Sequence, residues 1–503
     1  MLFLSTSAVG QGEPPLPRGL QEEEKEEKSG SSEPALPQGL GGDGGNGDSG
    51  GPALPEGLGG GETQEKGAGG PSLPEGLGGE SAEEQPSEEE AKSWRERLPF
   101  EVGGFLEGRA GLRTREDDYQ NDSPLSEVRL QLEIDKYFEG AHGFLTTDFV
   151  HDTVQPSSEI DLETGRGWLD LREAGISTTP VSFMDVKVGR QILTWGTGDL
   201  VFLNDLFPKD WRSFFSGRDV EYLKAPSDAA KVSLFSDVAN LDVVYTPGFD
   251  PDRFNDGERL SFWRDSLGRR AGEDAVIETE HKSSWFDDDE IALRLHRMLG
   301  SYEVAAYFYD GYWKSPGGMD PMTGQAIFPE LTVYGASVEG RLGTGIASSE
   351  IAYYDSDDPG GDDPFVNNDQ LRFLVGYDQE VAALIPSVKD FTVGLQYYLE
   401  HKMDYDDYRE TLPPAIEADE EGRHTLTLRL TKLYWNQNLE LSLFTFYSPS
   451  DSDAYLRPRV TYDVTDNWKV VTGGNIFVGE HDYTFLNQFQ NNSNVYAALR
   501  YSF

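Results

Sequence analysis

From residue 100 to its end the chain is a succession of runs, each about ten residues long, in which apolar and polar side chains alternate. At a period of two, neighbouring side chains point to opposite faces of a strand. We read about 18 such runs: 100–113, 126–138, 141–152, 167–179, 183–196, 229–238, 240–249, 289–299, 301–312, 331–343, 345–355, 369–382, 389–402, 423–435, 437–448, 453–464, 467–479 and 493–503. The connections constrain the fold more than the runs do. After even-numbered runs the link is short, as at Gly140, Ala239, Gly300, Thr344, Asn436 and Asp466; after odd-numbered runs it is usually long and polar, as at 114–125, 280–290, 355–368 and 403–423. Tight turns alternating with long loops predict an all-β fold, a transmembrane up-and-down antiparallel β-barrel with both termini on the turn side. A soluble propeller or sandwich also has many short strands, but neither predicts this alternation. Nor do they predict aromatic pairs at strand ends, such as Tyr137-Phe138, Tyr312-Trp313, Tyr353-Tyr354 and Tyr434-Trp435, which suit a membrane–water interface.

Composition narrows the alternatives. No run of 18 apolar residues exists, which excludes a membrane-spanning helix but not a barrel, whose strands average out hydrophilic. The absence of cysteine rules out a disulfide scaffold, a thiolate metal site and an N-terminal lipoprotein anchor. A formal charge of -48 argues against nucleic acid as a partner, because neutralising phosphates needs Lys and Arg in excess.

The last run reads S-N-V-Y-A-A-L-R-Y-S-F, with Val495, Ala497, Leu499, Tyr501 and Phe503 on one face and Arg500 and Ser502 on the other. This ending resembles the C-terminal signature of Gram-negative outer-membrane β-barrels. The resemblance implies a cell outer membrane location, contact with lipid and lipopolysaccharide, and recognition of Phe503 by the barrel assembly machinery. A second stretch, Gly189-Arg190-Gln191 followed by Trp195-Gly196, is similar to the G-R-Q-x-x-x-W-G strand of porin-like barrels. Among these are the alginate-export porins, a family with 18 strands and an arginine-rich lumen. Arg190 shares parity with Val186, Val188 and Ile192, so a bulge near Gly189 is expected to turn it inward.

The N-terminal part has a different character. Residues 1–11 read as the remnant of a signal peptide whose start lies upstream, since no basic residue precedes the short apolar run Leu2-Phe3-Leu4. Residues 12–98 are rich in Gly, Pro, Glu and Ser and are expected to form a disordered periplasmic arm, with one short helix over 87–98. The phrase L-P-x-G-L recurs four times in it, beginning at Leu16, Leu36, Leu54 and Leu73. The copies are either a duplicated spacer or docking motifs for a periplasmic partner. The barrel domain is then 99–503.

Register assigns the lumen. In the run holding Leu426, Leu428 and Leu430, those leucines face lipid and Arg429 faces inward. The same parity places Arg109, Arg113, Arg129, Arg172, Arg294, Arg341, Arg372, Arg457, Arg459 and Arg500 inside, against fewer acids: Glu101, Glu107, Glu133, Asp135, Asp170, Asp242, Glu339, Glu400 and Glu440. The loop 197–226 carries Leu200, Phe202, Leu206, Phe207, Trp211, Phe214 and Phe215 among Lys209, Arg212, Arg218 and Lys224. That many aromatics are unfavourable in water, so the loop is expected to fold into the barrel as a constriction. The seven histidines show no metal spacing, and the acidic loop at 355–366 departs from a calcium-binding pattern at Pro359 and Val366, so no cofactor or metal is expected. Parity puts Ser442 inward and away from His424, which leaves no hydrolase pair. The chain therefore reads as a non-enzymatic porin or channel passing anionic or polar solutes passively. The alternative is a surface barrel that serves as an interaction protein or export duct, docked to a periplasmic complex through its arm.

Overall fold

The computed structural model describes residues 98–282, 284–413 and 416–503. The signal-peptide remnant, the four repeats and the body of the arm lie outside the described residues.

Eighteen strands form one closed antiparallel sheet. In chain order they are β1 (Glu101–Arg113), β2 (Ser126–Phe138), β3 (Ala141–Asp152), β4 (Leu169–Val181), β5 (Met184–Ile192), β6 (Pro226–Leu234), β7 (Asn240–Thr246), β8 (Glu290–Leu299), β9 (Tyr302–Tyr312), β10 (Glu330–Leu342), β11 (Gly345–Ser356), β12 (Gln370–Glu380), β13 (Phe391–Lys402), β14 (Gly422–Tyr434), β15 (Leu439–Ser448), β16 (Asp453–Asp463), β17 (Trp468–Gly479) and β18 (Asn494–Ser502). Each strand pairs with its sequence neighbours, and β18 closes on β1 with Leu106 opposite Tyr501 and Arg109 opposite Ala498. Closure leaves no unpaired edge, as a strand in hydrocarbon requires. The Phe503 N–H donates to the Gly104 carbonyl at 2.9 Å, so the chain ends beside its first strand, on the turn side.

The expected register holds around the wall. Leu106, Leu112, Val128, Ile176, Val188, Leu295, Ile351, Val375, Leu395, Val495 and Leu499 are exposed on the outer face. Their in-register neighbours Glu107, Arg109, Arg129, Glu350, Arg372, Leu374, Gln396 and Tyr496 are buried on the inner one. The link 449–452 on the loop side is a tight turn, as the runs 437–448 and 453–464 imply, and the link 381–390 on the turn side is longer than the runs leave and contains a 3-10 turn, Val381–Ala383.

Candidate functional site

The inserted loop, residues 193–225, is the centre of the molecule, and its own sequence explains why it leaves the surface. It contains one α-helix, α1 (Trp211–Ser216), followed by a 3-10 turn, Val220–Leu223; α1 is capped by Asp210, whose side chain accepts the Ser213 N–H at 2.7 Å. Gly217 ends the helix at φ 105°, and a Cβ there would lie 2.5 Å from the Tyr496 ring, so both conformation and space require glycine. The helix presents an aromatic face to the wall. The Phe215 ring lies 4.9 Å from Phe489, 5.4 Å from Tyr455 and 5.7 Å from Phe477 between centroids, and Trp211 and Phe214 extend the cluster. A second cluster packs Leu193, Val201, Leu203 and Phe207 against Tyr309, Val333, Tyr354, Leu374 and Tyr398 on the opposite arc. Apolar burial on both sides holds the loop across the barrel.

Polar anchors fix its height. The Glu350 carboxylate accepts the backbone N–H groups of Thr197 and Gly198 and the Asn204 amide, the last two at 2.8 and 2.7 Å. Asp199 pairs with Arg429 at 3.0 Å, and Arg109 donates to the Gly217 carbonyl at 2.8 Å. Asp219 sits at a hub: its carboxylate lies 3.0 Å from Arg109, 3.1 Å from Arg459 and 2.5 Å from Arg500. Burial by itself pushes the Asp219 carboxyl up, but Arg109, Arg459 and Arg500 together hold it well below the usual carboxylate range.

A second segment, residues 247–289, also enters the lumen, which sequence reading did not anticipate. Arg253 grips Asp170 with two nitrogens at 2.8 and 2.9 Å, lies 3.5 Å from Asp210, and donates its backbone N–H to the Lys209 carbonyl at 2.8 Å. Asp252 accepts from the Lys209 N–H at 2.6 Å, the Trp211 indole at 3.1 Å and the Ser315 hydroxyl at 2.8 Å. Burial raises the carboxyls of both Asp252 and Asp250, the latter to about 7. The aromatics of this segment are more scattered than those of the first loop, although Phe249 and Phe262 are buried. Its further signal is Asp250, Asp252, Arg253 and Arg259 close together, polar residues that need partners once the first loop is inside.

The arginines expected to face inward do so, with one exception, and most come to rest on acids. Arg129 pairs with Glu127 at 3.2 Å and Asp148 at 2.5 Å; Arg372 lies 3.4 Å from Glu400; Arg294 pairs with Glu303. Arg172 donates to the carbonyls of Glu221 and Lys224, and Arg113 to those of Arg259 and the Asn492 side chain. Arg457 stacks over Phe214 at 3.9 Å, and Arg341 lies exposed near the turn-side mouth. In the inserted loop Lys209 pairs with Asp205 at 3.1 Å, Arg218 with Glu127 at 2.7 Å, and Arg212 donates to the Thr164 carbonyl. The exception is Arg190. Gly189 pairs with Gly175 and Ala229 without a register shift, so the expected bulge is absent there. Arg190 keeps the parity of Val188, opposite Asp228, and donates to the Leu162 carbonyl from loop 153–168. Gly189 takes φ 127°, but a changed φ without an extra residue does not swap faces.

The surplus of inward bases disappears when the acids are counted from the structure. Glu127, Asp148, Glu290, Glu303, Glu350 and Asp378 also face the lumen, and Asp199, Asp210 and Asp219 enter with the loop. Arg423, 3.3 Å from Glu400, is a further inward base that sequence reading passed over at the end of its run.

No family model and no curated protein matches this chain. Among solved structures, similarity is found to Acinetobacter baumannii OccAB4, with 12% identity over 81% of this chain and 98% of that one and a TM-score of 0.49. It is also found to Acinetobacter baumannii OccAB3, with 10% identity, 80% and 99% coverage and a TM-score of 0.48. A mutant of the Rhodopseudomonas blastica porin follows at 11% identity, 80% and 100% coverage and a TM-score of 0.36. The fold assignment rests on the strand pairing of this chain itself.

Proposed function

We propose that this protein is a passive channel of the Gram-negative outer membrane, for small polar solutes, with its path narrowed by the inserted loops. The observation that carries this reading is the combination of a closed wall, apolar outside, with an interior of charged and hydrogen-bonding side chains. An arginine-rich wall would favour anions if it stood alone. Here the guanidiniums of Arg109, Arg459 and Arg500 are offset by Asp219 and Glu107, and that of Arg429 by Asp199 and Asp378, which supports weak rather than strong anion preference. Planar-bilayer recording across a salt gradient tests the reading. The expected result is small, steady conductance with a reversal potential near zero or slightly anion-selective; strong cation selectivity would count against it.

The packed middle of the lumen favours a second reading, a barrel closed at rest that serves as a platform for a periplasmic partner of the L-P-x-G-L arm. Absence of conductance, together with capture of a periplasmic protein by the full chain but not by a chain lacking residues 12–92, would select it. Under either reading Phe503 addresses the chain to the assembly machinery. Deleting it is expected to lower the amount of folded barrel in the outer membrane several-fold, seen as loss of the heat-modifiable band, while synthesis is unchanged.

A further inference from the structure

Between β2–β4 and the two inserted segments lies a cavity of about 200 Å³, far above the roughly 10–15 Å³ that admits a single water. Arg129, Gln155, Arg166 and Arg212 all line it. In each of them one side-chain N–H is buried without an acceptor: the Nε of the three arginines and the Nε2 of Gln155. Arg212 is the extreme case. It is 6% exposed, its guanidinium has one hydrogen bond, to the Thr164 carbonyl, and it forms no ion pair among the described residues. The carboxylates around the cavity are already engaged. Asp152 is held by Arg218 and Arg259, Asp210 by Arg253 and the Ser213 N–H, and Asp170 by Arg253; Glu258 lies 2.5 Å from Arg166, although its Oε2 accepts no hydrogen bond. Burial pulls the Arg212 guanidinium below its ordinary range, outweighing the nearby Asp210 and Asp256 carboxylates that act to raise it.

Four buried donors without acceptors in one polar cavity are costly unless an acceptor fills it, and beside a buried arginine without an ion pair an anionic acceptor gains more than water does. We propose that this cavity is a binding site for one small oxyanion, held chiefly by Arg212 with Arg166, Arg129 and Gln155 around it. Guanidinium groups suit oxyanions because their planar N–H pairs match two oxygens at once. Lipid phosphate is not the source, since the cavity lies inside the wall of β2–β4.

The test uses the full chain folded in detergent. Equilibrium dialysis with radiolabelled inorganic phosphate is expected to show one saturable site. Arg212→Met should weaken it at least tenfold, whereas Arg341→Met, at the turn-side mouth, should leave it unchanged. Acetate as competitor separates a planar from a tetrahedral preference, and either preference supports the site. Crystals of the unaltered protein soaked in selenate supply a readout that does not depend on the variant folding: an anomalous peak within hydrogen-bond distance of Arg212 is expected. No saturable binding, equal binding by Arg212→Met, or no peak at Arg212 overturns the proposal. Binding is read without ion flow, so a failed conductance experiment and a failed site are told apart.

Discussion

Asp219→Asn leaves three neighbouring guanidiniums without their shared counterion, and the folded barrel should lose about 3–5 kcal/mol, the usual consequence of removing one member of a buried charged group. Arg109 and Arg500 retain Glu107, 2.8 and 2.9 Å away, whereas Arg459 loses the one ion pair it has among the described residues. Two readouts should therefore move together. Thermal unfolding in detergent should shift down, and the reversal potential in a salt gradient should move towards anions as positive charge is uncovered in the lumen. The pH dependence has a definite sign. The folded carboxyl of Asp219 lies below its unfolded value of about 3.9, so its contribution is complete above that value and declines as pH falls through it towards the folded value. The stability gap between the unaltered protein and Asp219→Asn should be flat from pH 8 to about 5 and narrow below about 4. A gap that is absent at pH 7, with unchanged selectivity, would remove Asp219 from the role assigned to it.

Phe215→Ala should act on the loop rather than the wall. Phe215 is 1% exposed and contacts rings from β16, β17 and the connection 480–493, none of which needs it to complete the barrel. Truncating a buried phenylalanine costs about 3–5 kcal/mol, and here most of that falls on the docked position of the loop. At about 1.4 kcal/mol per factor of ten, undocked loop should become at least a hundredfold more populated. In single-channel records this appears as larger conductance with frequent transitions between levels, while heat-modifiable mobility stays that of a folded barrel. Phe215→Leu, which keeps most of the apolar volume, should restore much of the quiet state. If Phe215→Ala conducts like the unaltered protein, the aromatic cluster is not what narrows the path.

Much of the molecule is legible in its sequence. A strand in a barrel wall sees lipid on one side and the lumen on the other, so its fold is written as a period-two pattern that can be read run by run, and the turn and loop lengths set which end is which. Ala497, Leu499 and Tyr501 against Arg500 needed no tertiary information. The inserted loop was legible for a related reason: Trp211, Phe214 and Phe215 could not remain in water. Arg190 was misread because the family resemblance of its strand suggested a lumen role that the unshifted pairing of Gly189 does not permit.

The charge state of the interior belongs to the other class. Parity shows that Arg109, Arg459 and Arg500 point inward, but a parity pattern says nothing of what comes to meet them from elsewhere in the chain. Asp219 arrives from the loop, and Asp152 and Asp170 meet Arg218, Arg259 and Arg253 across long sequence separations. Side-chain alternation is a local property of one strand, and sequence alone determined it here. Ion pairing depends on distances of 3 to 4 Å between segments brought together only when the loops pack, and the tertiary structure decided it.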